Sequence, residues 1–193
     1  MKTVPATLIN GTMLTTRADR AEALRAAAVV GLLVAFATVV HVVEGLVMLP
    51  LGPFRLGLSN ALTITALYAL GAKYGVFVSV SRAVVGAAAL GTLFSPVFPM
   101  NFGGALASAI VMAGIVSICR RRVDPVVVSL AGAAVHNAVQ LFYLSLIVGT
   151  ADVFYLALPL AVWTLASGVV VGFVSRVLVV RFPEVALSLR RKA

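Results

Sequence analysis

The chain has 193 residues, 62% of them hydrophobic and only 11% charged, with a formal net charge of +9 and a mean hydropathy of +1.12. A water-soluble domain of this size does not carry so little polar surface, so lipid is the solvent for most of the chain. The positive charge would suit nucleic acid in a soluble protein. Here nearly all the Lys and Arg lie in short segments between apolar runs, which is how topology is written in a bilayer protein, and no nucleic-acid partner is expected.

Residues 1–22 are polar and mixed, with Lys2, Arg17, Asp19, Arg20 and Glu22, and read as a cytoplasmic amino-terminal arm. No apolar stretch with a cleavage site opens the chain, so the first helix is expected to act as an uncleaved insertion signal. That span is predicted from about Leu24 to Leu49, stopping at Pro50, and a turn at Leu51–Arg55 leads to a second, shorter span from about Leu56 to Leu70. The third covers about Gly75 to Leu93 and ends in Ser95-Pro96-Val97-Phe98-Pro99, because proline cannot continue a helix. The fourth runs from about Phe102 to Cys119. After the basic triplet Arg120, Arg121 and Arg122, Asp124 and Pro125 form a helix start with proline in the first turn. The fifth span is about Val126 to Val148. Gly149 to Asp152 turn the chain into a sixth, about Val153 to Val180, long enough to tilt or protrude. The lone cysteine, Cys119, cannot form an internal disulfide.

The expected architecture is therefore an all-α bundle of six transmembrane helices in residues 23–182, followed by a basic cytoplasmic tail, residues 183–193. In an alternating six-span arrangement, 13 of the 15 basic residues fall on the side of the termini, Arg55 falls opposite and Arg82 lies within a span. By the positive-inside rule both termini are cytoplasmic.

Ionisable groups in a hydrocarbon core cost a few kcal/mol at least, so each needs a partner, a cavity or a function. Glu44, near the outer end of the first span, can pair with Arg55 across the outer mouth or simply reach interfacial water. His41, a turn deeper, suits an interhelical hydrogen bond. Arg82 is about 10 Å into the third span at 1.5 Å per residue. It can snorkel to the cytoplasmic face, or face the interior with Ser79 and Gly86 to hold carbonyls or an anionic ligand. His136, Asn137 and Gln140 sit near the middle of the fifth span, with His136 and Gln140 on one helical face. They read as interhelical glue or as a pocket wall, and Ser59, Asn60 and Thr63 on the second span add to the latter. In the first span the small residues Ala27, Gly31 and Ala35 recur every four positions and offer a smooth stripe for close packing of another helix.

No G-x-x-x-x-G-K-[ST] motif is present, so ATP, if used, is expected to be used by partner subunits. Asp19, Asp124 and Asp152 are isolated, unlike the Asp-rich runs that hold magnesium and diphosphate in prenyl-chain synthases. No metal ligands, catalytic residues or resident cofactors are expected. A Ser59 and His136 pair for proteolysis lacks a glycine-flanked nucleophile motif.

The order of these features resembles a family known both as heptaprenyl diphosphate synthase component I and as Gx transporter, over Val39 to about Val180. The matching pieces are Glu44 ahead of a proline loop, Leu56-Gly57-Leu58-Ser59-Asn60, Arg82 with Gly86, Ser95-Pro96, Gly103-Gly104, and Gly132 through His136-Asn137-x-x-Gln140. Arg55 stands where the family usually has lysine, and the amino-terminal arm is longer. The resemblance implies a fold similar to the substrate-binding S components of energy-coupling-factor (ECF) importers in the plasma membrane of a prokaryote. Such a subunit binds a small molecule near the outer face and works with a transmembrane coupling protein and ATPase subunits. The stripe of Ala27, Gly31 and Ala35 is then where the coupling protein docks, and Glu44, Arg55, Asn60, Arg82, His136, Asn137 and Gln140 line the ligand pocket. The synthase name implies instead a non-catalytic membrane accessory to a soluble prenyltransferase.

Overall fold

The computed structural model describes residues 17–48 and 56–181. Within them the chain forms α1 (Arg17–Met48), α2 (Ser59–Ala69), α3 (Ala72–Ala89), α4 (Val97–Ile118), α5 (Pro125–Val148) and α6 (Ala157–Arg181), the last preceded by a 3-10 turn at Ala151–Leu156. No strand occurs among the described residues. Among the described residues four segments are long and apolar enough to cross a membrane, Leu24–Val47, Val97–Ile118, Pro125–Val148 and Ala151–Arg181. The chain is thus an all-helical membrane protein. The turn expected at Leu51–Arg55, the tail at 183–193 and residues 1–16 of the arm lie outside the described residues.

Several boundaries differ from the expected ones, and three of them have a clear physical reason. Helix α1 begins at Arg17, inside the stretch read as an arm. Its 32 residues extend about 48 Å at 1.5 Å per residue, well beyond a hydrocarbon core of roughly 30 Å, so its polar first turns need not enter lipid. Helix α3 ends earlier than Leu93 because Gly91 adopts φ +68°, the left-handed conformation that closes a helix. The Gly91 N–H donates to the Ala88 carbonyl at 3.1 Å and the Thr92 N–H to the Ala87 carbonyl at 2.8 Å, satisfying carbonyls the helix leaves open. The prolines assigned to the end of the third span instead start the fourth: Pro96 is the residue before α4 and Pro99 lies in its first turn, where a missing N–H costs nothing. The start of α5 is as expected, with Asp124 accepting from the Val126 N–H at 2.8 Å and Pro125 in first position.

The second span is corrected more deeply. Helix α2 has 11 residues, about 16 Å of helix and roughly half of a bilayer core. Such a segment survives in an apolar medium only where protein surrounds it and supplies partners for its ends. Helix α2 packs against each of the other five helices, and Ser59, Ala61 and the run from Thr63 to Leu67 are buried. Around it α3 packs on α1, α4 on α3, α5 on α4 and α6 on α5, while α1 and α6 both pack on α2.

One apolar cluster joins Ile64 and Leu67 of α2 to Met112, Val116, Val128 and Val171 of the helices on one side. A second joins Ala66 to Val30, Leu33, Ala37 and Val78 on the α1 and α3 side. Outward-facing residues such as Leu32, Phe36, Val162 and Phe173 are more than half exposed, as lipid-facing residues are. Lipid tails are as apolar as these side chains, so close packing, not exclusion of water, holds helices together here. Among the described residues the closest approach of a glycine to another helix's backbone is α6 on α5: a Cβ added at Gly172 would lie 2.5 Å from the Val126 Cα, and one at Gly168 would lie 2.9 Å from Leu130 Cδ2.

The obstacle at Gly172 is backbone, which cannot swing aside. Gly172→Leu is therefore expected to destabilise the bundle by about 1–3 kcal/mol or more, read as a lowered unfolding midpoint in detergent. Gly31→Leu, at a position where an added Cβ meets nothing within 4 Å, is expected to leave that midpoint unchanged.

Candidate functional site

The helices bring their polar residues together at one end of the bundle, where α1 finishes and α2 begins. Glu44 comes from the last turns of α1, Ser59 and Asn60 from the first turn of α2, and Asn101 from early in α4. Gln140 comes from the later half of α5 and Ser167 from α6. All of these, with His41, Arg82, His136 and Asn137, line a single cavity of about 60 Å³.

Glu44 holds the start of α2. The first N–H groups of any helix have no partner within it, and the residue before α2, Leu58, offers no side-chain cap. The Glu44 carboxylate fills that role from a different helix: Leu58 N donates to Oε1 at 2.8 Å and Ser59 N to Oε2 at 3.4 Å. A carboxylate at this place also faces the positive end of the helix dipole. Glu44 is only 7% exposed, so it does not sit in interfacial water. Its sequence-expected partner, Arg55, lies outside the described residues.

Arg82 does not snorkel. It is 3% exposed, and its guanidinium donates from Nη1 to Ser59 Oγ at 3.0 Å and from Nη2 to Asn60 Oδ1. Both acceptors are at the start of α2, so the side chain points away from the end of the bundle where α3 begins. The earlier start of α3 at Ala72 also places Arg82 deeper than counting from Gly75 implies. Among the described residues the ion pair that forms is Arg176 with Asp124, at 3.7 Å and well away from here. Glu44 faces the same cavity, but no direct ion pair joins it to Arg82. The Arg82 Nε–H is buried without a hydrogen-bond partner.

The polar residues of α5 each face a neighbouring helix. Gln140 Nε2 donates to Asn101 Oδ1 of α4 at 2.9 Å, and Asn137 Nδ2 donates to Thr164 Oγ1 of α6. The Thr164 hydroxyl in turn donates to the Leu160 carbonyl at 2.6 Å. The two histidine rings lie against glycines: a Cβ at Gly86 of α3 would be 2.5 Å from His41 Cδ2, and one at Gly104 of α4 would be 3.0 Å from His136 Cε1. Ser79, on the Arg82 face of α3, donates to the Ala105 carbonyl at 3.1 Å and ties α3 to α4. Thr63 is fully buried one turn further along α2, outside the cavity wall.

Six of the seven pocket residues expected from sequence, Glu44, Asn60, Arg82, His136, Asn137 and Gln140, thus share one wall system. Asn101, Thr164 and Ser167 were missed. Asn101 lies between Pro99, where the third span was expected to end, and Phe102, where the fourth was expected to start. A usable signal existed in the spacing of Asn101, Gly104, Ala105 and Ser108, which gives α4 one small and polar face in an apolar helix. The stripe of Ala27, Gly31 and Ala35 lies on the outside of α1, exposed at all three positions, while Val30, Leu33 and Ala37 face inward.

Chemically, the cavity presents a buried guanidinium with a donor to spare, amide and hydroxyl groups, two imidazoles and one carboxylate already engaged by backbone. It is suited to holding a small polar or anionic group. Among the described residues no cluster of three or more His, Cys, Asp or Glu could hold a metal ion.

A family model described as heptaprenyl diphosphate synthase component I matches residues 33–178 of the chain, a stretch that contains every cavity residue named above. No curated protein and no solved structure matches it.

Removal of the carboxylate in Glu44→Ala leaves two N–H groups without acceptors. It is expected to cost about 1–3 kcal/mol for each buried donor so orphaned, seen as a lowered unfolding midpoint. Glu44→Gln, which keeps one acceptor oxygen, is expected to fall between Glu44→Ala and the parent in the same measurement.

Proposed function

The chain belongs to the heptaprenyl diphosphate synthase component I family, and from that premise we propose that it is a membrane substrate-binding subunit, similar to an S component of an ECF importer. It captures a small anionic solute for import energised by separate ATPase subunits. The observation that carries this reading is Arg82: a guanidinium buried to 3% exposure, paired with no carboxylate and retaining one unused donor, at the wall of a polar cavity. Glu44 attracts this charge from across the cavity without a direct ion pair, but a buried guanidinium donor with no acceptor is still costly in a membrane protein, and an anionic ligand removes that cost. The proposed topology is six membrane-inserted helices with both termini cytoplasmic in a prokaryotic plasma membrane. It is supported by the 13 of 15 basic residues on the side of the termini. In that orientation the cavity opens outward, and the exposed stripe of Ala27, Gly31 and Ala35 on α1 receives a transmembrane coupling protein. The chain itself performs no chemistry in this scheme, and ATP is consumed by the partners.

A second reading is favoured by the family description: a non-catalytic membrane accessory subunit of a polyprenyl diphosphate synthase. The polar residues then act only to hold helices together.

Affinity purification of the tagged protein from its native membrane, followed by mass spectrometry of bound small molecules and proteins, separates the two. Import predicts a co-purifying anionic solute with a coupling protein and ATPases, and the accessory role predicts a prenyltransferase and no solute. The double substitution His136→Ala with Gln140→Ala is expected to abolish solute binding at least a hundredfold under the first reading. Under the second it lowers the unfolding midpoint alone.

A further inference from the structure

A groove of about 500 Å³ runs along the seam between α5 and α6. Its walls are Ala134, Ala138 and Leu141 on one side and Ala157, Ala161 and Leu165 on the other, and all but Leu141 are exposed at the protein surface. The groove has a structural cause. The two helices are drawn together at Val126 and Leu130 by Gly172 and Gly168 and again at Leu141 and Leu160, which share a buried cluster, and between these contacts the small side chains of Ala134, Ala138 and Ala161 leave the groove. Asn137 lines both this groove and the polar cavity. Its hydrogen bond to Thr164, itself a groove residue, is the boundary between the two spaces.

The cavity holds about 60 Å³, far below the roughly 300–1,000 Å³ of ordinary small-molecule sites. It can take a head group but not the bulk of a larger ligand. We propose that cavity and groove are one bipartite site for a single-chain amphiphile, with its anionic head at Arg82 and His136 and its hydrocarbon chain in the α5–α6 groove, entered sideways from the membrane. A lateral route fits because the groove opens at the protein surface, where Ala134, Ala138, Ala161 and Leu165 are exposed. Asn137 and Thr164 mark the junction, where a polar linkage between head and chain meets an amide and a hydroxyl. This inference rests on the reading of the cavity as a ligand site and adds the class of ligand.

The test uses the full chain in phosphatidylcholine nanodiscs, titrated separately with n-dodecyl phosphate, inorganic phosphate and dodecanol. Binding is read by calorimetry and by emission of Trp163, the chain's single tryptophan, which neighbours Thr164. Dodecyl phosphate is expected to bind saturably and at least tenfold more tightly than either fragment. Ala161→Phe and, independently, Ala138→Phe fill the groove from its exposed side. Each is expected to reduce dodecyl phosphate to the affinity of inorganic phosphate while leaving inorganic phosphate unchanged. Equal affinities for dodecyl and inorganic phosphate, indifferent to both substitutions, would overturn the amphiphile inference and leave the small-solute reading standing. Dodecanol binding as tightly as dodecyl phosphate would overturn it by removing the role of the anionic head. Absence of binding by either phosphate would overturn it together with the anion reading of the cavity.

Discussion

Everything at the polar end of this bundle depends on how a helix of 11 residues is kept inside an apolar protein. Exposed backbone N–H and C=O groups cannot be left to lipid, so α2 survives only because other helices supply partners for its ends. At its start, Glu44 of α1 accepts from Leu58 and Ser59. At its finish, Arg121 donates to the Tyr68 carbonyl at 2.9 Å, while the Tyr68 hydroxyl donates to the Val123 carbonyl at 2.6 Å. Between these ends the helix is dressed with Ile64 and Leu67 against the α4, α5 and α6 cluster and Ala66 against α1 and α3. Because α2 does not reach across the bundle, the five helices around it are left facing one another beyond its start. That space is the cavity.

The electrostatics follow from the same geometry. Glu44 gives its hydrogen bonds to backbone donors and acts on Arg82 only through space, and the guanidinium is held directly by the neutral acceptors Ser59 and Asn60. A neutral acceptor is a weaker partner for a cation than a carboxylate. The site therefore keeps one buried guanidinium donor open to an added acceptor. The remaining polar pairs, Gln140 with Asn101 and Asn137 with Thr164, tie α4 and α6 to α5. They build the walls as well as presenting polar atoms to the cavity, so a binding role and a packing role coexist in the same side chains. Gly86 and Gly104 serve both roles by letting His41 and His136 lie close to the neighbouring helix.

The residues around the cavity were legible because polar side chains in apolar runs are conspicuous. Glu44, Arg82 and the His136-Asn137-x-x-Gln140 set stand out in the sequence for that reason alone. What Glu44 binds was not legible. Its partners are backbone N–H groups, which every residue but proline has and no side chain announces. The same holds for the length of α2, since hydropathy sees the apolar run from Leu56 to Leu70 but not that its ends would be turned inward and capped by Glu44 and Arg121. Asn101 was hidden by Pro96 and Pro99, because proline stops one helix and opens the next with equal ease. The fate of Arg82 required knowing which neighbour lay above it. From sequence, a route toward the start of α3 and a route toward Ser59 and Asn60 have the same chemistry.

The two ends of α2 are secured by parts of the chain at very different distances. Glu44 precedes Leu58 by 14 residues, whereas Arg121 and Val123 follow Tyr68 by 53 and 55. During synthesis the first clasp can close as soon as α2 has emerged, but the second must wait for α3, α4 and the turn beyond them. A nascent chain that ends before Arg121 therefore holds a helix pinned at one end with open carbonyls at the other. This makes the connection between α4 and α5 the step that commits the bundle to its final arrangement.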